Sequence, residues 1–281
     1  MRLRFTKMHG LGNDFMVIDG VTQEVQLSPE QVRAWGDRRF GIGFDQLLLV
    51  EPPTRPDVAF QYRIFNADGT EVEQCGNGAR CFAAFVRRQG LTADTVIAVQ
   101  TSGGRLTLEA LDDGMFRVNM GIPRLQPADV PITVDRYAST YGIALADGSE
   151  QSVTALSMGN PHAVLMVNDV NGGVVERLGP ELERHPQFPA RVNVGFLQVL
   201  NRQKGRLRVY ERGVGETLAC GSGACAALVA ARLRDQMDSR VTLHLNGGQL
   251  QLEWNGDGEA VYMTGPAAFV YDGEISLDDQ L

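Results

Sequence analysis

The sequence predicts an α+β protein built from two similar strand-rich halves, each with one buried helix that a curved sheet can wrap. Three observations carry this. Most of the chain reads as short strands separated by Gly, Asn and Asp turns. Two segments, Ala79–Val86 and Ala224–Ala231, read as helices that are apolar on nearly every side, and a helix without a polar face is a buried one. Each follows a copy of one motif, Cys75-Gly-Asn-Gly-Ala and Cys220-Gly-Ser-Gly-Ala, half a chain apart (220 − 75 = 145).

The elements follow in order. Ser28-Pro29-Glu30-Gln31 fits a capping box with Pro at the first helical position, so a helix is expected to run to about Arg39. Strand-like alternation or β-branched content marks Phe60–Phe65, Arg105–Leu111, Phe116–Met120, Ala163–Val167, Arg206–Tyr210, Val241–Leu245 and Gln249–Trp254. One buried helix begins just after Cys75 and ends near Gly90; the other begins just after Cys220. Further residues recur at matched offsets. Asn13 lies 62 residues before Cys75 and Asn160 lies 60 before Cys220. Gln46 and Asn193 lie 29 and 27 before, and Asn66 and Glu211 lie nine before. A duplicated unit explains this series. The halves are then 1–121, completed by 266–281, and 122–265, with Ile122-Pro123 and Pro127–Pro131 as the linker between them.

A formal charge of −8 argues against nucleic acid or an anionic membrane as partner. No apolar stretch is long enough to span a bilayer, and Met1–Gly20 lacks the pattern of a secretory signal. Four cysteines in 281 residues do not make a disulfide framework, so a reducing, cytoplasmic setting is expected. Cys81 and Cys225 lie inside the apolar helix bodies and read as small buried hydrophobes. The histidines His9, His162, His185 and His244 are scattered, and no Cys-x2-Cys pair occurs, so no metal site is expected.

Cys75 and Cys220 read differently. Each stands at a turn into a helix, with glycines that let a ligand approach the backbone. Free amides at a helix start attract a carboxylate, and the same position lowers the pKa of a thiol. Two such helix starts aimed at one ligand would set two thiols on opposite faces of one carbon. That arrangement suits stereoinversion at an amino-acid α-carbon: a thiolate removes the proton from one face and a thiol supplies one to the other. The helix amides would stabilise the carbanion as its charge spreads into the carboxylate.

Lys7-Met8-His9-Gly10-Leu11-Gly12-Asn13-Asp14-Phe15, Phe65-Asn66-Ala67-Asp68-Gly69, Cys75–Cys81, Met158–His162, Arg191-Val192-Asn193, Tyr210–Gly213 and Cys220–Ala224 together resemble the motifs of the diaminopimelate epimerase family. The resemblance spans about residues 5–271. It implies two pseudo-symmetric barrel-like halves with the site in the cleft between them. It also implies conversion of LL-2,6-diaminopimelate to the meso form, in lysine and cell-wall precursor synthesis, with no pyridoxal phosphate and no metal. On this likeness Cys75 and Cys220 are the catalytic thiols, assisted by His162 and Glu211. The substrate contacts are Asn13, Gln46, Asn66, Gly76, Asn77, Asn160, Asn193, Glu211, Arg212, Gly221 and Ser222, and Tyr271 lies at a homodimer interface. Two alternatives remain open: an epimerase of the same architecture acting on proline or hydroxyproline, and a protein that binds an amino acid without chemistry.

Overall fold

The computed structural model describes residues 2–73 and 75–276. The chain divides into two compact units, Met1–Val118 with Gly265–Leu281, and Asn119–Thr264. The first carries β1 (Arg2–Gly10), β2 (Asn13–Asp19), α1 (Pro29–Gly36), β3 (Gln46–Glu51), β4 (Phe60–Asn66), β5 (Glu71–Val72), α2 (Gly76–Arg88), β6 (Val96–Thr101), β7 (Gly104–Ala110), β8 (Phe116–Asn119) and, from the far end of the chain, β18 (Ala268–Ser276). The second carries β9 (Tyr141–Ala144), β10 (Glu150–Ser157), β11 (Pro161–Met166), α3 (Val174–Glu183), β12 (Asn193–Asn201), β13 (Lys204–Glu211), β14 (Gly215–Thr217), α4 (Gly221–Leu233), β15 (Arg240–Leu245), β16 (Gly248–Glu253) and β17 (Tyr262–Gly265).

The two units repeat one topology. In the first, the strands run β18-β1-β2-β3-β4-β6-β7-β8, with β2–β3 and β4–β6 parallel and the other neighbours antiparallel. In the second they run β9-β10-β11-β12-β13-β15-β16-β17, with β11–β12 and β13–β15 parallel. The short strands β5 and β14 lie on β4 and β13. The last strand of the chain, β18, thus fills in the first unit the place that β9 fills in the second.

Each sheet curls around its helix. Helix α2 packs on β1, β2, β3 and β7, and α4 on β10 to β13 and β16. Every residue of Asn77–Val86 and Gly223–Ala231 is buried. On the other face of the first sheet, Trp35 and Val32 of α1 pack with Met16, Ile18, Leu47 and Leu49. Phe15–Ile18 and Leu47–Val50 are therefore covered on both sides, which is why they read as continuous apolar runs rather than alternating ones.

Four features depart from the sequence reading. Helix α1 has its capping box but ends at Gly36, short of Arg39. Asp37 is extended, and its carboxylate accepts the amides of Arg39 and Phe40, a local turn that competes with another helical turn. Helix α3 was not foreseen: Gly173, Gly179 and Pro180 weaken its local signal, although its start lies 174 − 29 = 145 residues after that of α1, the same offset that separates the cysteines. The segment read as a linker is part of the second core, where Val130 and Ile132 pack against Tyr141, Val153 and Phe188. Helix α2 is not purely apolar, since Arg80 lies fully buried in it.

Candidate active site

In each unit the same four positions come to one end of the sheet. Asn13 begins β2 and Asn160 directly precedes β11; Gln46 and Asn193 begin β3 and β12; Asn66 and Glu211 end β4 and β13; Cys75 and Cys220 cap α2 and α4. Strand register enforces this: Gln46 pairs with Phe15 and Asn66, and His162 pairs with Asn193. Gly76 and Gly221 are the first residues of the two helices. The left-handed backbone beside Asn13 is taken by Leu11 and Gly12, and beside Asn160 by Gly159. The asparagines themselves need no special backbone, so their side chains are free for other work.

In the first unit Cys75 is half-buried, and its sulfur accepts the Gly78 amide at 3.3 Å. The helix can begin this tightly because Gly78 has no side chain: a Cβ there would lie 2.5 Å from the Tyr62 hydroxyl. Asn13 Oδ1 lies 3.7 Å from Cys75 Sγ and accepts from Asn77 Nδ2 at 3.3 Å. Gln46 Nε2 donates to Asn66 Oδ1 at 3.0 Å, and Asn66 Nδ2 donates to Thr70 at 3.1 Å. Gln46 Oε1 is buried with no partner among the described residues, an acceptor left available for a donor on a ligand. Beneath Asn13 lies an ion-pair network. Arg38 bridges Asp14 and Asp45, at 2.7 Å to each, and Lys7 reaches Asp14 at 2.6 Å. Burial works to raise the Asp14 pKa, but Arg38 and Lys7 outweigh it and hold the carboxyl well below the usual range.

In the second unit Cys220 is buried, and its sulfur lies 3.2 Å from Glu211 Oε2 and 3.7 Å from Ser222 Oγ. Thr217 donates to the other Glu211 oxygen. Burial pushes the Cys220 thiol well above its ordinary pKa, and the Glu211 carboxylate adds to this; the Gly223 amide and Ser222 pull the other way. The helix start alone predicts a lowered pKa, and for Cys220 the structure reverses that expectation, because desolvation and an adjacent carboxylate outweigh the helix dipole. Asn160 Nδ2 donates to Ser222 at 3.4 Å, and its Oδ1 lies 3.0 Å from His162 Nε2. His162 is 1% exposed. Burial, with the Arg212 charge, pushes its pKa down to about 3, so the ring is neutral and serves to orient Asn160. Asn193 bridges Pro161 O (2.9 Å) and the Arg212 amide (3.0 Å). The Arg212 side chain is exposed and touches Ala190 O at 3.1 Å.

Several supporting residues were not identified from sequence. Asp45, Arg38 and Arg80 carry no local pattern that marks them. Glu183, at the end of α3, is a buried carboxylate that accepts the Gly213 amide at 3.0 Å and so pins the turn bearing Arg212. Among the described residues no cluster of three His, Cys, Asp or Glu side chains is placed to hold a metal ion, and no helix is long and apolar enough to cross a membrane.

The profile of the diaminopimelate epimerase family matches residues 5–126 and 154–270. A diaminopimelate epimerase of Ectopseudomonas mendocina (strain ymp) is 59% identical over 277 residues, covering 99% of this chain and 100% of that protein. One of Pseudomonas fluorescens (strain Pf0-1) is 58% identical with the same coverage. Among solved structures, a hydroxyproline epimerase from Agrobacterium vitis superposes with a TM-score of 0.71 over 99% of this chain and 93% of that one, at 16% identity, a likeness of fold.

Proposed function

The chain belongs to the diaminopimelate epimerase family, and from that membership we propose that it inverts one stereocentre of LL-2,6-diaminopimelate to give the meso isomer, a step toward lysine and cell-wall precursors. Two capping cysteines at equivalent positions of a duplicated fold support this reading most directly. In the direction that begins with Cys220 protonated, Cys75 is the base. Its thiolate takes the α-proton, and the electron pair of the C–H bond spreads into the substrate carboxylate. Cys220 then gives its proton to the opposite face of the same carbon, and Glu211 at 3.2 Å holds that proton in place beforehand. The roles exchange in the reverse direction. The acid and the base are both thiols, so the proposed chemistry calls on neither pyridoxal phosphate nor a metal.

The remaining contacts suit a substrate with two ammonium and two carboxylate groups. The exposed guanidinium of Arg212 can take a carboxylate with two parallel hydrogen bonds. Gln46 Oε1 and Glu211 can accept from an ammonium, and the carboxamides of Asn13, Asn66, Asn77, Asn160 and Asn193 can serve either role. Phe269, Val270 and Tyr271 form an exposed apolar stretch on β18, and with it the protein is proposed to pair as a homodimer, working in the cytoplasm.

The test is proton exchange in heavy water with LL-diaminopimelate. Deuterium should enter the α-carbon as the meso product forms, and Cys75→Ala or Cys220→Ala should each abolish both. Retained protium without meso product would overturn the epimerase reading. Epimerisation of proline in place of diaminopimelate would overturn the substrate alone.

A further inference from the structure

Arg80 is the largest fully buried side chain among the described residues, on a helix whose other buried residues, Asn77 apart, are small or apolar. Its Nε donates to Pro266 O at 3.0 Å, and its second terminal nitrogen donates to Asn77 Oδ1 at 2.9 Å. Guanidinium nitrogens only donate, so the oxygen of Asn77 must face Arg80 and the Asn77 NH2 must face away. That NH2 donates to Asn13 Oδ1. At the other end, Asn13 Nδ2 donates to Asp45 Oδ2 at 2.8 Å. An ionised carboxylate only accepts, so Asp45 requires the NH2 of Asn13 and leaves its oxygen toward Asn77 and Cys75. Asp45 is in turn held by the Asp14 amide at 3.2 Å and by Arg38 at 2.7 Å.

A donor-only group and an acceptor-only group therefore stand at the two ends of a pair of carboxamides, and both ends demand the same direction. On the reading that Cys75 is a reacting thiol, we propose that Arg80 and Asp45 are positioning residues that fix this direction, so that Asn13 turns its oxygen and not its NH2 toward Cys75 Sγ. An oxygen acceptor beside the sulfur favours the S–H form, whereas an N–H donor would favour the thiolate. The relay so opposes the Gly78 amide, which favours the thiolate, and biases Cys75 toward its protonated form before a ligand binds. A ligand ammonium that claims Asn13 Oδ1 takes the acceptor away from the S–H, and the Gly78 amide then favours ionisation. Binding of the correct ligand is thereby coupled to activation of the base.

Ionisable groups near Cys75 among the described residues include Tyr62 on β4, Cys81 and Arg80 on α2, and the Lys7, Asp14, Arg38 and Asp45 network beyond Asn13. Cys81 is pushed up to about 12 by burial and Tyr62 well above its ordinary value, so neither changes charge between pH 6 and 9.

The test reads the thiol directly and uses no substrate, so it stands or falls apart from the epimerase assay. Full-length Cys220→Ser protein is alkylated with iodoacetamide from pH 6 to 9, and Cys75 modification is followed by mass spectrometry. It is compared with the same chain carrying Asp45→Ala or Asp45→Asn. Asp45 is exposed, and thermal unfolding checks that each variant is folded. Asp45→Ala removes the acceptor that holds the Asn13 NH2 and leaves only the Asn77 end to oppose its turning, and Cys75 should react about threefold faster at pH 7, which corresponds to a profile about half a unit lower. Asp45→Asn can still offer an oxygen to Asn13 and should follow the parent profile. Equal acceleration in both variants would assign the effect to the lost charge and overturn the proposal. No acceleration in Asp45→Ala, or slower reaction, would overturn it as well.

Discussion

Replacing Gly78 by Ala places a methyl group 2.5 Å from the Tyr62 hydroxyl oxygen and 3.2 Å from Leu48 Cδ2. Ordinary contact begins near 3.4 Å, so helix and ring must separate by roughly 0.9 Å, the difference of those two distances, in a core packed to crystal-like density. Overpacking of this kind costs about 1–3 kcal/mol. The offending atom can be removed separately. The Tyr62 hydroxyl is buried with no hydrogen-bond partner among the described residues, so Tyr62→Phe sacrifices no hydrogen bond and removes a desolvated polar group; alone it should be neutral or stabilising. In the Tyr62→Phe background the new methyl meets the ring edge without its oxygen, and most of the cost should vanish. Urea unfolding of the parent, both single variants and the double variant measures this as a double-mutant cycle. The expected coupling is about 1–2 kcal/mol in favour of the double variant. Additive effects, with Gly78→Ala equally damaging in both backgrounds, would refute the claim that close approach of Tyr62 is why residue 78 is glycine.

Three further outcomes follow. Because the Glu211 carboxylate raises the Cys220 pKa, Glu211→Gln should lower the pH at which Cys220 is alkylated in a Cys75→Ser chain, and in the intact pair it should reduce epimerisation at least about tenfold; an unmoved alkylation profile would refute the pairing. His162 has a folded pKa of about 3 against about 6.5 unfolded, so on acidification the unfolded chain takes up a proton that the folded one refuses. Stability should fall between pH 6.5 and 3, and this residue accounts for about 2 kcal/mol of the loss by pH 5; His162→Gln should flatten that slope in urea titrations at pH 7.5 and 5. Tyr271→Asp, placing a charge on the apolar stretch of β18, tests the proposed homodimer: sedimentation of the parent chain should give a dimer and that of the variant a monomer at micromolar concentration, and a parent chain that sediments as a monomer would refute the proposed pairing.

The starts of α1, α2 and α4, seven of the strands and the two helix-capping thiols were legible in the chain because their causes are local. A capping serine acts over three residues, strand alternation over two, and a cysteine–glycine turn over four. Duplication extended that reach, since an offset of 145 to 147 residues recurs along the chain and ties Asn13 to Asn160 and Asn66 to Glu211 as equivalent positions of one topology. The same offset held the signal for α3, which local propensity obscured behind Gly179 and Pro180.

Only the tertiary structure decided the electrostatics. Nothing near Arg80 in sequence shows that it is buried, because the carbonyl it reaches, Pro266 O, lies 186 residues away. Asp45 meets Asn13 across 32 residues. The acidity of Cys220 is set by its depth and by a carboxylate on a neighbouring strand, two quantities that exist only once β13 and α4 are packed together. The sequence by itself therefore determined where the two thiols stand and what elements present them, since backbone geometry and capping are short-range. Their protonation was decided by folding, since desolvation and charge depend on distances that the chain acquires only when remote segments meet.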